Sequence, residues 1–120
     1  MSDTHTTSER TYPVLELDEI CDLLELTRDE VMILAPRAME EVEHRFDSIK
    51  EGIESGALEE VALHSHTLKS VAASIGARAT RHVVGRLEVA AKSDDLDACI
   101  RLAAELEEEI SRLAVEVAAL

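Results

Sequence analysis

Hydrophobic residues recur every three or four positions along most of the chain, and this spacing predicts amphipathic helices. A short helix is predicted near residues 17–24, with apolar side chains at Leu17, Ile20, Cys21 and Leu24. Residues 27–30 read Thr-Arg-Asp-Glu, which matches a capping box, so a long second helix is predicted to begin there. Pro36 lies about two turns into that helix, where we expect a kink. The inward positions of the second helix are Val31, Ala35, Ala38, Val42, Phe46, Ile49 and Ile53.

Three more predicted helices follow, separated by short breaks at Ser55-Gly56, at Gly76 and at the Lys-Ser-Asp-Asp turn of residues 92–95. The third helix has the inward positions Leu58, Val61, Ser65, Leu68, Ala72 and Ile75. The fourth, at about 78–91, has Ala79, Val83, Leu87 and Ala90. The last has Leu96, Ile100, Ala103, Leu106, Ile110, Leu113, Val117 and Leu120. This pattern predicts an all-α fold, an antiparallel up-and-down four-helix bundle with an additional short N-terminal helix that acts as a lid.

The composition agrees with a helical bundle. The chain has 120 residues, the length of one domain, and 46% of them are hydrophobic but only 2% are aromatic, which disfavours a sheet protein. Residues 1–13 are rich in Ser and Thr and contain no apolar stretch like that of a signal peptide. We therefore predict a flexible tail at 1–13 and a single helical domain at 14–120.

The formal net charge of −14 argues against nucleic acids and anionic membrane surfaces as partners, because they carry charge of the same sign. The longest apolar run, residues 31–36, is far shorter than the ~20 residues that span a membrane. Cys21 and Cys99 are isolated in the sequence, which suits a reducing compartment. We expect a soluble, cytoplasmic protein that is a monomer.

The third predicted helix carries two histidines, His64 and His66. Successive helical residues are rotated by about 100°, so these two rings lie on opposite flanks and cannot share one metal ion. The neighbours of His66 on its own stripe are Ala62, Lys69, Ser70 and Ala73. Apart from Lys69 these side chains are small, so the imidazole projects beyond its neighbours and another protein could approach it. Lys69, one turn away, is within reach of a phosphoryl group on the ring.

The segment His66-Thr67-Leu68-Lys69-Ser70, followed by Ser74-Ile75-Gly76-Ala77, resembles the H-T-L-K-G…L-G-A signature of histidine-containing phosphotransfer (HPt) domains. Residues 86–88 (Arg-Leu-Glu) and the turn at 92–95 are similar to the segment between the last two helices of that family. The resemblance spans roughly residues 17–120. Ser70 stands where the family usually has Gly, and its small side chain should still allow a partner to approach.

The resemblance implies a relay in which His66, through Nε2, exchanges a phosphoryl group with an aspartate of a response-regulator receiver domain. Lys69 would stabilise the phosphoryl group, and Mg²⁺ would be on the receiver, so this chain has no cofactor of its own. The implied partners are receiver domains and a hybrid histidine kinase. The residues predicted to meet a partner are Ala62, Ser70, Ala73, Gly76, Arg78, Arg81 and Arg86.

The distribution of charge favours the same interpretation. Residues 62–93 contain five basic residues and one acid, Glu88, a local charge of +4 in an acidic protein. Such a region suits a partner whose active site is a cluster of carboxylates. The alternative is a chance excess of basic residues on solvated helix faces.

Other functions fit the sequence less well. The dimerisation helix of a sensor histidine kinase normally has an acid directly after its histidine and a proline four residues after that acid. This chain has Thr67 and Val71 at those two positions. No glycine-rich ATP-binding region is present, so the chain could relay phosphate but not take it from ATP. A di-metal carboxylate bundle needs two Glu-x-x-His motifs, and only Glu41 with His44 fits. A purely structural adaptor bundle remains the third alternative. His64 is interpreted as structural, and Met32 and Met39 as core residues.

Overall fold

The computed structural model describes residues 12–120, and every regular element in that range is an α-helix. The helices are α1 (Leu17–Leu24), α2 (Arg28–Ser55), α3 (Leu58–Ser74), α4 (Arg78–Lys92) and α5 (Leu96–Ala118). Helices α2 to α5 each pack against the next, and α5 also packs against α2, which closes the bundle. The short α1 packs on α2. The predicted all-α bundle is therefore confirmed, whereas the tail predicted at residues 1–11 lies outside the described residues.

Several helix ends form where the sequence places capping residues. The Glu30 N–H donates to Thr27 Oγ1 at 3.1 Å, and the Thr27 N–H donates to Glu30 Oε1 at 2.9 Å, so the predicted capping box begins α2. Helix α2 then runs through Pro36 as one element. Gly76 adopts the left-handed conformation (φ 69°) after α3, as its predicted role as a cap requires. Asp95 Oδ1 accepts from the Ala98 N–H at 3.0 Å and caps α5.

The residues before α1 attach to the start of α4. Helix α4 has no side chain at its N-terminal cap, and the Pro13 carbonyl accepts from the Ala79 N–H at 2.9 Å instead. The Tyr12 ring stacks on the His82 ring with centroids 4.4 Å apart, and the Glu16 N–H donates to the Gly76 carbonyl at 3.0 Å. Tyr12 and Pro13, at the end of the predicted tail, thus contact the bundle.

The core follows most of the predicted seams, with two corrections. In α5 the predicted inward residues Leu96 and Ile100 are exposed, and Cys99 and Leu102 are buried in their place. Before Leu106 the buried side chains are Leu102 and Cys99, each one residue before the predicted inward residues Ala103 and Ile100. A shift of one residue turns the inward face of a helix by about 100°. In α2 Met39 is buried as predicted, but Met32 is 41% exposed, so its assignment to the core was wrong.

No helix within residues 12–120 is both long enough and apolar enough to cross a membrane.

Candidate functional site

His66 lies on the exposed edge of α3 that faces α4. The buried seam of α3 runs through Val61, Ser65, Leu68 and Ala72, and His66 is one residue beyond it, so its ring leaves the core on one flank. The His66 side chain is 65% exposed. On the same stripe Ala62 is half-buried, while Ser70 and Ala73 are exposed. A partner could therefore approach the imidazole over small side chains, as the sequence predicts.

A buried carboxylate on α4 holds this ring. Glu88 has only 5% of its side chain exposed, and its Oε2 lies 3.1 Å from His66 Nδ1. The same oxygen lies 3.0 Å from Lys92 Nζ, and Oε1 accepts from Lys69 Nζ at 2.7 Å. We refer to His66, Lys69, Glu88 and Lys92 as the Glu88 cluster. It joins one histidine and two ammonium groups to a single carboxylate.

The Glu88 cluster keeps its carboxylate ionised. Burial alone would raise the pKa of Glu88, but the hydrogen bonds from Lys69, Lys92 and His66 outweigh burial and lower that pKa from 4.5 to about 2. At neutral pH Glu88 is therefore a carboxylate, which can only accept hydrogen bonds. His66 must then donate from Nδ1, and in the neutral ring the lone pair lies on Nε2. Since Nδ1 faces Glu88, Nε2 is the ring nitrogen left for a partner.

His64 has the opposite arrangement on the other flank of α3. Arg45 of α2 places Nη1 3.1 Å from His64 Nδ1, and because a guanidinium can only donate, Nδ1 of this ring must accept. His64 Nε2 lies 3.9 Å from Glu60 Oε1, and the side chain is only 19% exposed. The two histidines diverge as the helical spacing predicts, and within residues 12–120 no group of three His, Cys, Asp or Glu residues could hold a metal ion.

The basic residues of α3 and α4 do not form the open positive patch that the local charge of +4 suggested. Arg78 Nη1 lies 2.9 Å from Glu16 Oε1, and Arg86 Nη1 lies 3.4 Å from Glu105 Oε1. The hydrogen bond between Arg78 and Glu16 lowers the pKa of Glu16 and raises that of Arg78. Of the five basic residues, Arg81 alone forms no ion pair with the residues that the structure describes. The count along the chain missed these acids because they belong to other segments.

Gly76 acts as the predicted cap but does not lie on the partner surface where it was also predicted. It is buried at the end of α3, where its carbonyl accepts from the Glu16 and Arg78 N–H groups, both at 3.0 Å. Gly76 is therefore part of the turn and not of an exposed partner surface.

Sequence reasoning did not single out Glu88 or Lys92 as site residues. Glu88 follows the inward Leu87 directly and precedes the inward Ala90, so an acid there falls at the border of a buried face. An acid at such a position needs a cation, and Lys92, four residues later on the same predicted helix, is the one that the sequence places beside it. The position of Glu88 is therefore visible in the sequence as an acid at the border of a buried helix face, but its contacts with His66 and Lys69 depend on how α3 packs against α4.

A family model described as Hpt domain matches residues 22–116. The crystal structure of histidine-containing phosphotransfer protein B (HptB) from Pseudomonas aeruginosa PAO1 is similar to this structure, with a TM-score of 0.82. The two chains are 20% identical, and the alignment covers 91% of this chain and 95% of that chain, so the likeness shows a common fold. No curated protein sequence matches the chain. Because the family model extends over most of the bundle and over every member of the Glu88 cluster, the chain belongs to the Hpt domain family.

Proposed function

We propose that this protein carries a phosphoryl group on Nε2 of His66 and exchanges it with an aspartate of a response-regulator receiver domain. The observation that carries the proposal is the polarity of the His66 ring. Its Nδ1 is held by the buried carboxylate of Glu88, so Nε2 combines a lone pair with exposure to a partner. His66 is the phosphoacceptor in this proposal, and Lys69 stabilises the phosphoryl group.

Transfer to His66 is a displacement at phosphorus. The Nε2 lone pair attacks the phosphorus atom of the aspartyl phosphate in line, the N–P bond forms, and the P–O bond to the aspartate breaks. The electron pair of that bond stays on the aspartate carboxylate. Attack leaves the ring positively charged with its proton on Nδ1, and Glu88 Oε2, 3.1 Å away, offsets that charge. The receiver would supply Mg²⁺, which would neutralise charge on the phosphoryl oxygens.

A receiver would dock on the small residues beside the ring. Ala62, Ser70 and Ala73 leave little side-chain volume along this edge of α3, and the Ser70 hydroxyl turns back toward the His66 carbonyl, 3.5 Å away. Ser70 in place of the family's usual glycine therefore adds only a small group to the docking surface. Beside this edge an open groove of about 800 Å³ follows α4, lined by Lys69, Arg81 and Gly85 among others. Arg78 and Arg86 line the same groove but are paired with Glu16 and Glu105, so we assign the main charged contact with a receiver to Arg81.

In this role the protein is a carrier of phosphate and not a kinase. The transfer step needs a phosphorylated donor, such as a receiver domain or a hybrid histidine kinase, because the residues of the Glu88 cluster provide a nucleophile and charges but no nucleotide site. Cys21 and Cys99 are free thiols, which favours the cytoplasm as the compartment. We propose that the protein acts there as a monomer.

Incubation with phosphorylated receiver domains from the same organism tests the proposal. We expect phosphate to leave a receiver and to appear in the peptide that contains His66, as an acid-labile, base-stable modification detected by mass spectrometry. Phosphate on another residue, or no transfer from any receiver, would contradict the proposal.

A further inference from the structure

Lys92 has no role in the transfer step described above, yet its ammonium group shares an oxygen with the reactive histidine. Lys92 Nζ lies 3.0 Å from Glu88 Oε2, and His66 Nδ1 lies 3.1 Å from the same atom. Lys69 binds the other oxygen, Oε1, at 2.7 Å. Lys69 is thus held by Glu88 when the phosphoryl group is absent. A phosphoryl group on His66 would compete with this buried carboxylate for the Lys69 ammonium group.

We propose that Lys92 is a positioning residue, which holds Glu88 in place while Lys69 moves from Glu88 to the phosphoryl group on His66. This inference rests on the proposed function. It assigns the two lysines different tasks, since Lys92 stays with the carboxylate and Lys69 exchanges partners.

The positions of the lysines support this division. Lys69 is one turn after His66 on α3, so its flexible side chain can follow the phosphoryl group to Nε2. Lys92 is one turn after Glu88 on α4, an i,i+4 pair that does not depend on α3. A buried carboxylate is costly without a cation, so Lys69 can leave only if another positive charge remains. Lys92 provides it, and the charged phosphohistidine ring strengthens the bond at Nδ1.

Removal of Lys92 should therefore act through Lys69. With Lys92 absent, Lys69 is the sole ammonium group on Glu88 and stays there, so the phosphoryl group on His66 loses its counter-charge. The effect on the transfer equilibrium should resemble the loss of Lys69 itself, although Lys92 does not contact the phosphoryl group.

A double-mutant cycle tests this dependence, with the equilibrium between phospho-receiver and phospho-His66 as the measured quantity. We expect Lys92→Met and Lys69→Ala each to lower the equilibrium constant about fivefold, and the double variant to lower it about fivefold as well. Lys92→Arg should restore the wild-type value. Lys50→Met, which removes a lysine paired with Asp47 on α2, is the matched control and should have no effect.

The tautomer of His66, observed through its ring ¹⁵N signals, provides a second measurement. We expect Nδ1 to stay protonated in Lys92→Met, because Lys69 still holds Glu88. Single effects that multiply in the double variant, or a Lys92→Met variant that equals the wild type, would overturn the role of Lys92 while phosphorylation at His66 continues. Absence of phosphate from His66 in the wild type would instead overturn the proposed function and this inference together.

Discussion

The two histidines of α3 are two residues apart and yet have opposite hydrogen bonding. His66 donates from Nδ1 to the Glu88 carboxylate and is 65% exposed, whereas His64 accepts at Nδ1 from Arg45 and is 19% exposed. The helix sends one ring toward α4 and the other toward α2, and the neighbour on each side determines which nitrogen has the lone pair. In the proposed function, the charge of the group beyond the ring, and not the helical position alone, makes Nε2 of His66 the nucleophile.

The largest effect should come from removing each ring in turn. His66→Gln should eliminate phosphotransfer, because no other group in the Glu88 cluster is a comparable nucleophile, while the helicity stays unchanged because the side chain is exposed. His64→Gln should transfer at the wild-type rate. Label transfer from a phospho-receiver, measured beside circular dichroism, compares the two variants. Transfer by His66→Gln, or loss of transfer in a folded His64→Gln, would reverse the assignment of the two histidines.

The next largest effect should come from Glu88, whose carboxylate gives His66 a hydrogen bonding pattern opposite to that of His64. Glu88→Gln keeps the shape of the side chain but removes its charge, and an amide can turn either its oxygen or its NH₂ group toward His66 Nδ1. The Nδ1-protonated tautomer should then lose its preference, and transfer should slow by about tenfold. Loss of the buried counter-charge of Lys69 and Lys92 should also reduce the free energy of unfolding by about 1–3 kcal/mol. Ring ¹⁵N signals, transfer rates and urea unfolding measure these changes.

The pH dependence of that variant separates the charge of Glu88 from its packing. The pKa of Glu88 falls from 4.5 to about 2 on folding, so its ionised form stabilises the fold, by at most about 3 kcal/mol. This contribution is complete above pH 4.5 and is lost as the pH falls toward 2. The difference in unfolding free energy between wild type and Glu88→Gln should therefore be constant above about pH 5 and shrink below it. Glu105→Gln, at an exposed ion pair, is the control, and a constant difference down to pH 2 would contradict the role of the charge.

The features that depend on local sequence were predictable, and those that depend on distant partners were not. The capping box at Thr27 and Glu30 and the cap at Gly76 are local, and both form as predicted. The flank of His66 also follows directly from helical periodicity. At the start of α5, by contrast, Leu96 and Ile100 fit a seam as well as Cys99 and Leu102 do, and only contacts with the other helices decide between the two.

The candidate site divides in the same way. His66, Lys69 and the small residues of α3 could be identified from one stretch of sequence. The part of the site on α4 could not, because Glu88 looked like one acid among bases and became important only when the bundle brought Lys69 and His66 to it. The arginines show the converse error, since Glu16 and Glu105 pair with Arg78 and Arg86 from other segments of the chain. Charge counted along a sequence is therefore a poor guide to the charge that a surface presents.

The smallest effect should distinguish the three arginines of α4, the helix that the His66 ring faces. Arg81 lies one turn before Gly85 and two turns before Glu88 on one stripe of α4. All three arginines line the same groove as Lys69, so they differ in their ion pairs and not in their distance from the groove. Arg81 can donate to a receiver carboxylate without first leaving an acid of the described chain, whereas Arg78 would have to leave Glu16. Arg81→Gln should therefore weaken receiver binding about three- to fivefold at ~0.15 M salt, and Arg78→Gln and Arg86→Gln should weaken it less. Exposed charges are screened over about 8 Å at this salt concentration and over a shorter distance at about 0.5 M salt. The loss of receiver binding in Arg81→Gln should therefore be smaller at the higher concentration. Calorimetric titrations of a receiver at the two salt concentrations measure both changes, and equal losses in all three variants would show that an existing ion pair does not decide which arginine meets the partner.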